Sequence, residues 1–571
     1  MPDSIQYIEK LVGEGRFLEA RSKTEHLLTT SDDLRLKQLL ALSMAKSGAP
    51  KAAMDFLEPV YKQHPDDPET SGILGSIYKE LFKETKNSKY AVLSRDTYLN
   101  NFRLTGNYYT GINAASMYAI SGSISKAKEL AAEIIARLSP ESTDAWELAS
   151  IAEAYLLLKE KDKAIEFYLR CRNSLGSDWG KINSIYNQLW LLNHYITVSS
   201  QVMQTFSPPA VAAFVGHMID HPSRKISRFP SSIEQEVKVA ITGAIKSINA
   251  KIGYCSLACG SDMLFAEAIL ENGGELNLFL PFDSDDFIKT SVEFGGEQWM
   301  DRLTKLTAQF PVNYITKEKY LGSDDLFSFQ SRVIFGAAVQ RSNMLHTVPH
   351  LITVFSDADV QVKMGGTRDT LKLWPYPEKR MNINPKHFLK GSTVDNKETH
   401  LAAGDIVAIQ KNEHRHVRFL VSINIESVIP ELQERFNYQV NKIIKEMGIE
   451  EVEKSNTSLL FAFKTIEDSV TLAWTILKTP GFAPKIKLCM HAGPVYTDPE
   501  TRTITGPNTD LVKAIHEFTI PGKVYASSQF AAVLSLETDK YAIEQAGMVS
   551  LGAAGTVEIY QVNRHADAFD L

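Results

Sequence analysis

Three glycine-rich turns in the middle of the chain hold the residue types best suited to bind a small molecule. Gly216-His217 ends an apolar run, Gly260-Ser261-Asp262 leads into a helical stretch, and Gly365-Gly366-Thr367 follows another apolar run. A turn that leads from a strand into a helix presents backbone N–H groups, and these bind phosphate groups well. The pattern therefore predicts a ligand site formed by these turns.

The segment around these turns alternates apolar strands with helical stretches. The predicted strands are Val211–Val215, Ile252–Ser256, Leu276–Leu280, Val312–Ile315 and Leu351–Phe355. The predicted helices are Ile233–Ile248, Asp262–Glu271, Asp286–Gln309 with a break near Gly295, and Asp325–Leu345. This alternation is typical of a doubly wound parallel sheet, in which ligands bind beyond the carboxyl ends of the strands.

The same residues resemble a known family. The string Ala258–Asp262, followed by Glu267 and then by Pro281-Phe282, resembles the SLOG and deoxyribohydrolase-like Rossmannoid group. Members of that group bind nucleotides, nucleosides or their derivatives, and some cleave N-glycosidic bonds with a carboxylate. The resemblance implies that Gly260 and Ser261 contact phosphate or ribose at the helix start. It also implies a role for Asp262 as either the helix N-cap or a ribose ligand.

Glu267 is the carboxylate that the resemblance assigns to N-glycosidic chemistry, where it would stabilise an oxocarbenium-like charge. A solvent-exposed helix glutamate is the competing interpretation. His217 is likewise either a ligand contact or a hydrogen-bonded histidine at a strand end. We expect Phe282, with other aromatic side chains, to stack on a base and Arg332 to contact a phosphate. No metal site or firm cofactor is predicted.

The first 200 residues carry a repeat. Small and apolar residues recur at helical spacing, and the pattern begins again at intervals of 33 to 37 residues, which is typical of stacked helix pairs. Its members include Ala41 and Ala53, Ala115 and Ala127, Ala152 and Ala164. The array resembles tetratricopeptide repeats (TPR), and residues Gly106–Ala115 resemble the variant in the apoptosis-signal-regulating kinases. The resemblance implies binding of a protein partner; a generic helical bundle is the alternative.

The last 160 residues resemble the ferredoxin-like catalytic domain of class III nucleotide cyclases. Leu488–Val495 and Gly506–Ser527 carry the resemblance. The positions of the two metal-binding aspartates hold Ser422 and Thr457, and those of the transition-state asparagine and arginine hold Asp510 and Ala514. Without two anionic ligands Mg²⁺ is weakly held, and without arginine the phosphate charge is not stabilised. We therefore predict a catalytically degenerate domain that dimerises.

The amino-acid composition limits the classes of function that the protein can have. The 571 residues are 44% apolar and 23% charged, with a net charge of −7 and four cysteines. An acidic balance argues against nucleic acid as the main partner, and few cysteines indicate a reducing compartment. The first residues lack the basic start and apolar core of a signal peptide, and no apolar run reaches about 18 residues. We expect a cytoplasmic protein without a membrane span.

The sequence thus predicts a multidomain chain. We expect an all-α TPR-like solenoid at 1–206, an α/β Rossmann-like domain at 207–378, a linker with one or two strands at 379–410, and an α+β ferredoxin-like, cyclase-like domain at 411–571. Two functions remain open. The chain is either a signalling or defence regulator that binds a nucleotide-type ligand and forms a homodimer or higher oligomer, or an effector N-glycosidase acting through Glu267. An active cyclase is a distant third.

Overall fold

Helices occupy the chain up to Phe206. The structure is a computed structural model that describes residues 4–176, 178–320, 322, 325–356, 371–389, 415–426, 428, 430–449, 452–455, 457–479, 485–552 and 555–564. The helices, labelled α1 to α12 in chain order, are Ile5–Gly13, Phe17–Leu28, Leu34–Lys46, Pro50–Gln63, Pro68–Thr85, Ser88–Thr105, Tyr108–Ile120, Ile124–Ile135, Ala145–Leu158, Lys161–Leu175, Trp179–Asn193 and Ser200–Phe206. They form one helical unit that extends to Pro208, and a second, α/β unit begins at Pro209.

A side-chain cap recurs at the start of alternate helices. Asp33, Asp67, Asn107 and Asp144 each accept a hydrogen bond from a backbone N–H in the first turn of α3, α5, α7 and α9, respectively. Such caps satisfy donors that the helix itself leaves unpaired. These four caps recur at the first helix of successive pairs, and Asn87 adds a cap at the start of α6. The predicted helical repeat region is confirmed.

Small residues let neighbouring helices of the array approach closely. A Cβ atom on Gly75 would lie 2.5 Å from the ring of Tyr98, and one on Gly111 would lie 2.7 Å from the ring of Phe102. Both aromatic side chains are fully buried in the array. The small and aromatic positions of the repeat are therefore two halves of one packing contact.

Six parallel strands form the first sheet of the α/β unit. Strands β1 to β6 are Ala210–Gly216, Ala250–Cys255, Glu275–Leu280, Val312–Tyr314, Pro349–Val354 and Arg380–Ile383. Their order is β4-β3-β2-β1-β5-β6, and every pairing is parallel. The predicted parallel α/β sheet is confirmed. Strand β6 lies within the predicted linker, and its backbone pairs with β5. Its four residues carry no pattern from which this pairing could be predicted.

Helices cover both faces of this sheet. Helices α13 to α17 are Glu234–Ser247, Ser261–Glu271, Ser284–Ser291, Glu297–Gln309 and Asp325–Met344. Alternate residues of β1 point to opposite faces: Phe214 packs with α13 and α14, whereas Ala213 packs with α17. This alternation follows from the two-residue period of a strand and explains why the strands read as continuous apolar runs.

A second, mixed sheet contains the remaining strands. Strands β7 to β14 are Arg415–Asn424, Val452–Lys454, Ser458–Phe463, Lys487–Thr497, Ile504–Thr505, Val524–Ser527, Tyr541–Ser550 and Thr556–Arg564. The order is β13-β14-β12-β10-β7-β9-β8, with β11 paired to β10. Its helices, α18 to α21, are Pro430–Met447, Ile466–Lys478, Pro507–Ile515 and Ser528–Glu537. No described helix is both long and apolar enough to cross a membrane.

Helix α17 packs against α21 with almost no separation between their backbones. A Cβ atom on Gly336 would lie 2.0 Å from the carbonyl oxygen of Ala532. Around this crossing, Phe329 and Val333 of α17 join the buried core that contains Phe419 of β7 and other residues of the second sheet. Helix α17 therefore belongs to the cores of both sheets.

We predict opposite effects for two glycine-to-alanine changes in helices of this unit. Gly336→Ala forces α17 and α21 apart and should destabilise the unit by about 1–3 kcal/mol. Gly243→Ala, in the exposed interior of α13 where a Cβ meets no atom within 4 Å, should stabilise it by about 0.5–1 kcal/mol. Denaturant unfolding of the two full-length variants measures both; equal stabilities would contradict the close crossing.

Candidate functional site

The strand order of the first sheet reverses at β1. The chain runs outward from β1 through β2 and β3 to β4, then returns to place β5 on the other side of β1. In doubly wound sheets, such a reversal of strand order is where a ligand crevice forms, at the carboxyl ends of the strands on either side, here β1 and β5. Gly216 and Val354, which pair across these strands, mark that edge.

His217 is fixed by the residues that follow β5. Its backbone N–H donates to Val354 O at 3.0 Å, and its Nε2 accepts from the N–H of Ser356 at 3.4 Å. The imidazole lies edge-on to the ring of Phe355, with centroids 4.9 Å apart. The predicted site residue is therefore at the crevice edge, but buried and hydrogen-bonded.

Two predicted site residues, Gly216 and Ser261, lie next to each other at this edge. Packing explains why residue 216 is a glycine. A Cβ atom on Gly216 would lie 2.3 Å from Ser261 Oγ. Ser261 donates both its N–H, at 3.1 Å, and its hydroxyl, at 2.7 Å, to the carbonyl oxygen of His217. The start of α14 is thus tied to the end of β1, and the hydroxyl hydrogen of Ser261 is already used.

Gly260 is required by the backbone beside it. Its φ of 114° lies in a region that favours glycine, and a Cβ atom there would lie 2.5 Å from the backbone nitrogen of Ile219. The residue also forms an isolated bridge with Met218. In the structure this glycine lets the β1 loop pack on the start of α14, rather than leaving open space for a ligand.

Asp262 is the unusual residue of the site. The side chain is 7% exposed, and its Oδ1 accepts no hydrogen bond from any described residue. Burial raises the pKa of its carboxyl to about 7, although the backbone N–H groups of Ala258 and Gly216 act in the opposite direction. The thiols of Cys255 and Cys259 are also buried near this carboxyl, and burial raises both of their pKa values.

Glu267 points into a salt-bridge network between helices. Arg302 donates to both of its carboxylate oxygens, at 2.6 and 2.7 Å, and Lys238 donates at 3.2 Å. Arg302 also binds Glu234 and lies 4.2 Å from the ring centroid of Trp299. Burial pushes the pKa of Glu267 upward, but these two cations hold it below its usual value. The carboxylate thus bridges α13, α14 and α16.

Two further residues that were predicted to contact the ligand instead contact other side chains of the protein. Phe282 is fully buried and stacks on Tyr320, with centroids 4.7 Å apart, so it is a core residue. Arg332 binds the Glu537 carboxylate of α21 and lies over the ring of Phe419. Its predicted phosphate contact is therefore replaced by an ion pair with the second sheet. Gly365, Gly366 and Thr367 lie outside the described residues.

A basic loop lies at the same edge and was not predicted from the sequence. Residues 221–228 follow β1 and include His221, Arg224, Lys225 and Arg228. Asp220 shapes the loop: its carboxylate accepts from the Ser227 hydroxyl at 2.6 Å and from two backbone N–H groups at the far end. Four basic side chains within eight residues directly after a strand are the signal that could have found it.

The positions that replace catalytic residues of a cyclase lie on β7, before β9 and on helix α20. Ser422 is buried on β7, and its Oγ has no hydrogen-bond partner among the described residues. Its carbonyl oxygen contacts His516 Nε2 at 2.6 Å. Thr457, Asp510 and Ala514 are exposed. The four side chains supply one carboxylate among them.

Comparison with known proteins matches part of the helical unit to a family. The profile of the family described as Tetratricopeptide Repeats-Sensor matches residues 16–120. A comparison with curated proteins gives no match. The helical unit is therefore similar to TPR arrays, and its repeats support protein–protein interaction.

Three solved structures are similar to parts of the chain. The catalytic core of a rhodopsin-guanylyl cyclase with converted specificity, in complex with ATPαS, is 12% identical over 27% of this chain and 98% of that chain, with a TM-score of 0.24. An adenylate/guanylate cyclase/hydrolase from Silicibacter pomeroyi is 13% identical over 27% and 99%, with a TM-score of 0.23. A thermophilic TPR protein from Thermus thermophilus is 18% identical over 33% and 97%, with a TM-score of 0.28.

Asp262→Asn should stabilise the protein at alkaline pH. A carboxyl whose pKa is raised in the folded state destabilises that state as pH rises toward 7, and the penalty is complete above it. The shift from the usual 3.8 to about 7 corresponds to about 4 kcal/mol. Thermal unfolding should therefore show a large gain for Asp262→Asn at pH 8 and a small one at pH 4.5.

Asp283→Asn is the matched control for this measurement. Asp283 caps α15 through hydrogen bonds from two backbone N–H groups, and asparagine caps a helix about equally well. Its effect should be small at both pH values. A lower melting temperature for Asp262→Asn at pH 8 would mean that the Asp262 carboxylate has a stabilising partner.

Proposed function

We propose that this protein is a regulator that binds a nucleotide-type ligand at the carboxyl edge of its first sheet and a protein partner through its helical repeats. The observation that carries the proposal is the reversal of strand order at β1, beside the buried Asp262, whose Oδ1 has no hydrogen-bond partner among the described residues. A doubly wound sheet opens its ligand crevice at such a reversal. Polar groups that converge there without partners are typical of binding sites.

The parallel strand order supports a Rossmann-like assignment for this domain, and the basic loop supports an anionic ligand. Residues 221–228 extend from the carboxyl end of β1, beside the reversal. Lys225 is exposed there, and arginine and lysine are the usual partners of phosphate oxygens. A nucleotide satisfies both features, because its phosphates suit the loop and its sugar and base suit the buried crevice.

The helical unit supplies the second half of the proposal. Tyr109 of α7 is 48% exposed and Trp146 of α9 is 39% exposed, on two helices that contact each other. Exposed aromatic side chains are enriched where proteins bind partners. We assign this aromatic face to the protein partner. The signalling or defence setting is what the family resemblances of the chain imply.

The proposal assigns the second sheet and its helices to a degenerate cyclase-like domain that promotes self-association. Its ferredoxin-like assignment is supported by the mixed sheet with helices between its strands. Phe419 and Phe530 lie in the core that α17 joins, so a dimer has to use another surface. Tyr438 of α18, which is 69% exposed, lies on such a surface.

The alternative of an N-glycosidase acting through Glu267 is not proposed. Arg302 engages both oxygens of that carboxylate, so neither is free to face a developing positive charge at a sugar. Breaking this pair removes two of the charged hydrogen bonds of a partly buried arginine and leaves it Glu234, which is costly. The favoured activity is therefore binding rather than hydrolysis.

Ligand binding is tested by calorimetry on the full-length protein with ATP, GTP, NAD, deoxynucleoside triphosphates and nucleosides, together with mass spectrometry of any co-purified molecule or released base. Lys225→Glu should weaken triphosphate binding by roughly tenfold, because a charged hydrogen bond is lost and a repulsion gained. Nucleoside binding should change little.

Lys289→Glu is the control for net charge, since Lys289 is an exposed lysine of α15 that is not part of the loop. An equal loss of affinity in this variant would show that the loop has no specific role. Failure of the unmodified protein to bind any compound in the panel would reject the nucleotide proposal itself.

The cyclase-like domain that contains the second sheet should produce no cyclic nucleotide. Its cyclase positions provide Asp510 alone as an anionic side chain, whereas two metal ions need several oxygen ligands. Incubation with ATP or GTP and Mg²⁺ or Mn²⁺ should give no cyclic AMP or cyclic GMP by mass spectrometry. Production by the full-length protein that is lost on Asp510→Ala would contradict this expectation.

A further inference from the structure

A cavity lies at the outer edge of the first sheet, between β4 and the helices α15 and α16. Its volume is about 390 Å³, and its lining includes the buried side chains of Leu280, Phe287 and Leu303. Strand β4 has three residues and is the last strand on this side of the sheet, so one of its edges has no strand partner among the described residues. Strands β3 and β2 separate the cavity from the reversal at β1.

Every residue that lines this cavity is uncharged. Most are aliphatic or aromatic, and the polar ones, Ser284, Thr307 and Tyr314, carry hydroxyl groups. Thr307 donates its hydroxyl hydrogen to Leu303 O at 3.0 Å, whereas the hydroxyls of Ser284 and Tyr314 have no hydrogen-bond partner among the described residues. A charged ligand group would lose its hydration here without meeting a counter-charge, which is costly. The lining therefore favours a neutral ligand.

The apolar part of the lining is incompletely covered by the protein itself. Ile288, Phe310 and Val312 line the cavity and are only half-buried. An apolar molecule that covers these side chains removes their surface from water, and this favours binding. The volume also lies in the range of small-molecule pockets, which is about 300–1,000 Å³. Size and lining thus agree on the class of ligand.

We infer that this cavity is a second ligand site, which takes a neutral, mainly apolar small molecule with a bicyclic body and a hydrogen-bonding group. The hydroxyls of Ser284 and Tyr314 supply the polar partners, and the side chains from α15 and α16 supply the apolar contacts. This inference does not rest on the nucleotide proposal, because different elements form the two sites. Both ligands can therefore be bound at the same time.

The test uses a neutral probe, N-phenyl-1-naphthylamine, and its anionic counterpart, 8-anilinonaphthalene-1-sulfonate, which has the same rings and a sulfonate. Equilibrium dialysis of the full-length protein, quantified by mass spectrometry, should show saturable binding of one neutral probe per chain. The sulfonate concentration that displaces half of this probe should exceed the dissociation constant of the probe at least about tenfold, because the cavity offers no cation. ATP should not displace the probe.

Two variants fill the cavity from different helices, and a third is their control. Ile288→Trp on α15 and Thr307→Trp on α16 should each weaken binding of the neutral probe at least about tenfold, since the new ring occupies its space. Val239→Trp, at an exposed position of α13 that does not line the cavity, should leave the affinity unchanged. Melting temperatures establish that each variant is folded, and Thr307, which is exposed, provides the comparison if Ile288→Trp does not fold.

Four outcomes would overturn the inference. They are absence of saturable binding of the neutral probe, equally effective displacement by the sulfonate, unchanged affinity in the folded filling variants, and displacement by ATP. The last outcome would place the probe in the proposed nucleotide site instead. Failure of nucleotides to bind would reject the nucleotide proposal and leave this inference standing.

Discussion

The α/β unit depends on the burial of α17 on nearly every side. Val339 and Ala338 of this helix pack under the first sheet, and Phe329 and Val333 pack into the core of the second. A helix that is apolar around its circumference is stable only inside a protein. The two sheets therefore share helix α17. Separating the sheets would expose the apolar side chains of this helix to solvent.

This shared helix also joins the carboxyl edge of the first sheet to the second sheet. The Gln330 side chain donates to Ser256 Oγ at 3.0 Å and to Phe279 O at 2.6 Å, near the carboxyl ends of β2 and β3. Two residues later, Arg332 binds Glu537 on α21. A displacement of the strand ends that moves Gln330 has a short, rigid route to α21, because the backbones of α17 and α21 touch at Gly336. The carboxyl edge of the first sheet and the second sheet are therefore mechanically connected through one helix.

The order of elements could be predicted from the sequence, and the partners of individual side chains could not. Apolar runs bounded by glycine placed the first five strands within two residues of their observed limits. Glu267 and Arg332 looked equally suited to bind a ligand, but their partners, Arg302 and Glu537, come from other helices that only the fold brings near. Gly260 was predicted to contact a ligand, and the atom that its missing Cβ avoids in the structure is the backbone nitrogen of Ile219.

Asp262 shows where stability and binding make different demands on one residue. The close packing of α14 on β1 is provided by Ser261 and the flanking glycines, so the helix start does not need a carboxylate with an unpaired oxygen. Burial of that carboxylate weakens the fold whenever it is charged. An uncharged side chain of the same size would remove the cost and keep the packing. The feature that such a side chain would lose is a charged acceptor, which the packing of α14 on β1 does not use.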